Sequence, residues 1–152
     1  MQNLTIDTGM KEYLINNRAV LRFNPSDPNL YHRFFAAATK LDALDAELTE
    51  QLKALPEADD TARAERGLAL LTDYDHRIKA LLTEIFGGEN DFDKVLEGVN
   101  LAGTGANGKR VVQNLLDALT PILQDGAAQH LQTAAANARA EADAARAARE
   151  QA

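Results

Sequence analysis

The chain has no cysteine and no tryptophan among its 152 residues. Disulfide stapling, thiolate nucleophiles and cysteine-type zinc sites are therefore excluded. Aromatic residues make up only 5% of the chain, so a core has to be assembled mainly from Leu, Ile, Val and Ala. Ser26 is the single serine. It sits in a turn between Pro25 and Pro28, a setting for capping and not for a serine nucleophile. Positive charge is also scarce: 16 Lys and Arg against 23 Asp and Glu give a net charge of −7, with a pI near 4.9. Sequence-independent nucleic-acid binding needs a basic footprint that displaces counterions, and adsorption to anionic membranes needs one too. Neither is expected. No apolar run approaches the roughly 18 residues that span a bilayer. The N-terminus MQNLTIDTG lacks the basic and apolar regions of a secretory leader. A cytoplasmic location is the expectation.

What is present is a short β-rich start followed by helical periodicity. LTID (4–7) has strand character, and KEYLI (11–15) and AVLRF (19–23) have more of it. Asn16-Asn17 lies between the latter two, and asparagine tolerates the positive φ of a type I′ turn. Asp27 followed by Pro28 predicts a capped helix start. Leu30, Phe34, Ala37, Leu41, Leu44, Leu48, Leu52 and Leu55 then recur at spacings of three and four, predicting a helix over 28–55. Pro56 to Asp60 interrupts it. A second seam of Ala64, Leu68, Leu71, Tyr74 or Asp75, Ile78, Leu81, Leu82 and Ile85 predicts a helix over 61–86, with Gly87-Gly88 supplying an αL stop. Two long seamed helices with a short connection read as an antiparallel hairpin.

Asp91 can cap a short helix over 92–97. A glycine-rich loop follows, and then a helix over 109–123 in which Pro121 is a kink or the start of a new segment, with Gly126 as a further break. From Ala127 to Ala152, 13 of the 26 residues are Ala, and Leu131 is the only large apolar one. Helix propensity is high there, but no apolar stripe is wide enough to bury strongly. The expected fold is mainly α with a small N-terminal β-hairpin or meander (α+β), a helical hairpin and C-terminal helices. One globular domain over 1–126 would carry an alanine-rich helical tail over 127–152.

Chemistry-bearing patterns are few. Gly103 to Lys109 matches the G-x-x-x-x-G-K core of a phosphate-binding loop. Arg110, however, stands where a Ser or Thr would hold Mg²⁺, and no apolar strand precedes the loop. His32, His76 and His130 lie far apart, without metal-ligand spacing. The carboxylates are numerous but scattered. No catalytic residue, cofactor or metal is assigned, and a non-enzymatic role is the expectation.

Two blocks, LTIDTGMKEYLINNRAVLRFNPSD with its following LYHRFF and EIFGGENDFDKVLEGVNLAGTGANGKRVVQNLLDALTPIL, resemble the tail assembly chaperones of long-tailed bacteriophages. The alanine-rich tail is not part of the resemblance. It implies a protein that binds the helical, aggregation-prone tape measure protein, helps recruit tail tube subunits and is absent from the finished particle. In many relatives a programmed frameshift yields a longer second product. Expected client contacts are two apolar clusters, one of them incompletely buried: Leu30, Phe34 and Phe35 beside the hairpin, and Val112, Leu115, Leu116 and Leu119 in the last core helix. Homo-oligomers are compatible with this reading. The competing reading is a structural virion protein, a head–tail connector or tail completion subunit that forms a ring.

Overall fold

A computed structural model describes residues 1–57 and 59–151. Ala58, within the break expected between the long helices, and Ala152, at the end of the alanine-rich tail, lie outside the described residues. The element order is β1 (Lys11–Ile15), β2 (Ala19–Phe23), α1 (Pro28–Lys53), α2 (Asp60–Phe86), α3 (Phe92–Val95) and α4 (Val111–Glu150). The fold is mainly α with a two-stranded antiparallel hairpin.

The hairpin turns where expected. Asn16 and Asn17 have φ of 52° and 62°, and the Arg18 amide closes the turn on the Ile15 carbonyl at 3.0 Å. The ladder pairs Ile15 with Ala19 and Lys11 with Phe23, which leaves Arg18 as an extra residue outside it. Residues 4–7 form no strand, contrary to the expectation. Leu4 to Asp7 are unpaired and exposed, because strand propensity without a paired neighbour does not hold a strand.

One face of the hairpin is buried. Tyr13 stacks on Phe23 at 4.7 Å, Phe23 meets the edge of Phe86 at 5.2 Å, and Phe86 meets Phe92 at 5.9 Å. This aromatic ladder joins β1, β2, the end of α2 and α3. It concentrates half of a sparse aromatic inventory in one place, where such pairs stabilise beyond their buried area.

Local capping sets the helix boundaries. The Asp27 carboxylate accepts the Asn29 amide at 3.0 Å, with Pro28 opening α1. Asp59 and Asp91 cap α2 and α3 in the same way. Gly87 ends α2 with φ 95°, but its ψ of 156° lies outside the αL region expected there. The α1 seam is buried at Leu30, Phe34, Ala37, Leu41 and Leu48. The α2 seam is buried only from Tyr74 onward, and Ala64 and Leu68 face solvent. Gln51 Nε2 donates to the Tyr74 hydroxyl at 3.0 Å, and Arg33 Nε donates to the Ile85 carbonyl at 3.1 Å. These cross-links fix the antiparallel helical hairpin.

The last helix starts no new segment at Pro121 and does not break at Gly126. It runs unbroken through both Pro121 and Gly126, for 40 residues. Pro121 is exposed, so the Asp117 carbonyl that it cannot engage is left to water. Gly126 is a packing residue instead of a break. A Cβ there would lie 2.1 Å from the Pro25 carbonyl oxygen and 2.7 Å from the Tyr31 hydroxyl. Only glycine lets α4 pass so close to the start of α1. The expected boundary at residue 126 thus falls inside a continuous helix. From Leu131 to Glu150 every residue is exposed, and these 20 residues extend about 30 Å at a helical rise of roughly 1.5 Å per residue.

Candidate protein-binding surface

The first half of α4 is wedged between two grooves, and what holds it there is built from the polar residues of the glycine-rich loop. Asp75, inside the α2 seam, is buried. Its Oδ1 accepts the Leu101 amide at 2.7 Å, and its Oδ2 accepts from Lys79 Nζ at 2.8 Å. Lys79 also reaches Asp93 at 2.7 Å, so one ammonium joins α2 to α3. Burial alone would lower the Lys79 pKa, but the hydrogen bonds and charges of Asp75 and Asp93 outweigh it and raise the pKa above the usual lysine value. The Lys79 contact in turn lowers the Asp93 pKa.

The loop after α3 is pinned at both ends. Leu101 and Ala102 are fully buried. The Val112 amide donates to the Leu101 carbonyl at 3.1 Å, and the Val111 amide donates to the Gly103 carbonyl at 2.9 Å. Arg110 fastens this assembly to α1. Its guanidinium pairs with Asp45, donates to Thr49 Oγ1 at 3.0 Å and donates to the Ala102 carbonyl at 2.8 Å. The residue that spoils the phosphate-loop pattern is therefore the bracket between the loop and α1.

The loop's amides turn inward. Gly105 donates to the Lys109 carbonyl at 2.8 Å, Gly108 donates to the Gly105 carbonyl at 3.0 Å, and Lys109 donates to Asn107 Oδ1 at 3.1 Å. These amides do not line up as the anion cradle that a phosphate loop requires. The Lys109 ammonium reaches Asp117 at 3.5 Å on the surface. His32 and His76 are exposed and His130 is half-buried, on three separate helical positions. Among the described residues no group of three or more His, Asp or Glu converges on a metal position.

On one side of α4 lies a groove of about 570 Å³ shared with α1. Leu41, Leu52, Val112 and Leu116 form its floor, with Asp42, Asp45, Lys109 and Arg110 around it. On the other side lies a more apolar groove of about 580 Å³ bounded by β1, with Tyr13, Ile15, Val99, Leu115, Leu119 and Ile122 among its walls.

The sequence-derived contact residues divide accordingly. Leu30 and Phe34 are buried in the core, as are Val112, Leu115 and Leu119. Each cluster keeps one incompletely buried member. Phe35 is 65% exposed, its ring edge-on to Phe34, and Leu116 is half-buried. Phe35, Ala38, Asp42, Asp45, Thr49 and Leu52 follow one another at helical spacings of three and four, so Phe35 continues the α1 ridge that borders the α1–α4 groove. Phe35 thus lies on a ridge that borders the groove, and the half-buried Leu116 lies in its floor.

Sequence reasoning missed the residues that build this frame. Asp75 had a signal, since it occupied an apolar seam position where a carboxylate has to find partners. Asn90 had none. It is buried, and its amide bonds to β2 and to the Phe86 carbonyl, 2.9 Å away.

Comparison of the chain with protein-family models, with curated proteins and with solved structures gives no match.

Proposed function

We propose that this chain acts by binding and not by catalysis, as a tail assembly chaperone of the long-tailed bacteriophage type. Its client would be the tape measure protein, and it would bring tail tube subunits to that client in the host cytoplasm. The observation that carries the reading is the α1–α4 groove, with an apolar floor, charged walls and the exposed Phe35 ring on the same ridge. A groove of this kind accepts the apolar face of an amphipathic helix, read through anchors at i, i+3, i+4 and i+7. The resemblance of residues 4–35 and 84–123 to such chaperones supplies the identity of the helical client.

The test is co-expression with the tape measure and tail tube proteins of the same genome, followed by pull-down and a client solubility assay. Co-purification with a soluble tape measure protein is expected, and it should be lost when Phe35 and Leu116 are both changed to Asp in a folded variant. A chain that binds neither protein but forms a discrete ring retained in purified particles would replace this reading with a structural virion subunit.

A further inference from the structure

The hairpin has two outer edges, and the fold treats them differently. The outer edge of β2 is engaged at Arg22. Asn90 accepts the Arg22 amide at 2.9 Å and donates to the Arg22 carbonyl at 2.7 Å, as a neighbouring strand would. The outer edge of β1 has no strand beside it among the described residues. An uncovered edge presents a row of backbone donors and acceptors that pairs readily with another extended segment. Directly beside it runs the more apolar of the two α4 grooves, walled by Tyr13, Ile15, Val99 and Leu115.

The chain also carries an exposed, unpaired segment with the complementary need. Residues 1–8 are exposed throughout. Leu4 and Ile6, at 83% and 75% exposure, are two residues apart and so share one face of an extended chain. Among the described residues, the backbone of this arm is held at one place only. Asn24 Nδ2 donates to the Thr8 carbonyl, next to a local bond from the Gly9 amide to Asp7 Oδ1 at 3.0 Å. Gly9 has φ 87°, and a Cβ there would stand 3.0 Å from Asn24 Oδ1. Asn24 follows β2, so the tether holds the base of the arm beside the end of β2. Leu4 and Ile6 stay exposed and no residue of the arm lines the groove, so the arm leaves its own edge and groove uncovered.

We propose that the occupant of the β1 edge is the N-terminal arm of a second copy of this chain. Residues 3–7 of one copy would pair with β1 of the other, placing Leu4 and Ile6 in the apolar groove. The arm and the β1 edge are both already unpaired among the described residues, so the exchange adds ladder hydrogen bonds and apolar burial without unfolding either domain. This inference stands apart from the client reading, because it uses the opposite side of α4.

The test uses the full chain. Light scattering coupled to size exclusion should give the wild type a mass at least twice the 16.5 kDa of the monomer. The double variant Leu4→Asp, Ile6→Asp should fall to the monomer mass with an unchanged helical spectrum. Because the chain contains no cysteine, a Leu4→Cys chain mixed with a Val99→Cys chain should yield a thiol-cross-linked heterodimer in excess over either chain alone. A monomeric wild type, or an oligomer that the double Asp variant leaves intact, overturns the proposal. So does cross-linking of Leu4→Cys, Val99→Cys within a single monomer, which would place the arm on its own edge.

Discussion

Asn90 and Arg22 are paired backbone to side chain as if Asn90 were a one-residue strand, accepting the Arg22 amide and donating to its carbonyl. The same side-chain amide also bonds to the Phe86 carbonyl, so one buried residue ties the hairpin to the end of α2. Asn90→Ala removes all three bonds and should cost about 2–3 kcal/mol, at roughly 1 kcal/mol per bond. Asn90→Asp should cost more, because it turns a carboxylate oxygen toward two carbonyls. Urea unfolding followed by circular dichroism would measure both.

Gly126→Ala sets two effects against each other. Helix propensity favours alanine by about 1 kcal/mol. The added Cβ, however, would sit 2.1 Å from the Pro25 carbonyl oxygen, and overpacking against backbone costs typically about 1–3 kcal/mol or more. Net destabilisation is expected, with loss of contact between α4 and Tyr31. By contrast, Pro121→Ala restores a backbone donor at an exposed position with no tertiary contact to lose, and should stabilise by about 1–2 kcal/mol after allowance for the stiffer unfolded chain of the proline form. Matched thermal melts of the two variants would show shifts of opposite sign.

The Asp75–Lys79–Asp93 cluster gives stability a defined pH dependence. The folded pKa of Asp93 lies below its ordinary 3.8. Its contribution is therefore complete above that value and disappears as pH falls through the lowered one. The folded pKa of Lys79 lies above 10.5, so its contribution is complete below 10.5 and is lost as pH rises past the raised value. Between these limits Asp93 and Lys79 should leave stability flat. Asp93→Asn should reduce the acid-side slope below about pH 4. Lys79→Met should cost about 3 kcal/mol near neutrality, because it leaves the buried Asp75 carboxylate without its cation. Equilibrium unfolding across pH would test each.

Phe34 and Phe35 make a matched pair for separating folding from binding. Phe34 is buried, whereas Phe35 is not. Phe35→Asp should change stability by no more than about 0.5 kcal/mol, as surface substitutions do, while reducing client retention. Phe34→Asp should abolish folding, since it buries an unpaired carboxylate in the core. Circular dichroism alongside the pull-down distinguishes the two outcomes.

The features legible in the sequence were those decided within a few residues. Alternating β-formers around Asn16-Asn17 placed both strands, and Asp27-Pro28 placed the start of α1. The features that escaped it are settled by distant partners. Gly126 resembles a helix break until the Pro25 carbonyl is seen against it. Leu4 to Asp7 has strand composition, but a strand also needs an edge to pair with. In the candidate surface, the α1 period separates buried Phe34 from exposed Phe35. Nothing local foretells that Arg110 would reach Asp45 and Thr49, 65 and 61 residues away.

The eight aromatic rings all lie at or before Phe92, while α4 begins at Val111 and ends at Glu150. Near-ultraviolet ellipticity therefore reports on the packed body alone, whereas the 222 nm signal adds the solvent-clad end of α4. That end is held mainly by its own backbone ladder and should fray gradually with heat, while the body melts as a unit. The two optical channels should give midpoints that disagree, with the far-ultraviolet trace sloping before the aromatic one moves. Such disagreement would mimic a populated folding intermediate in a chain whose body unfolds in a single step.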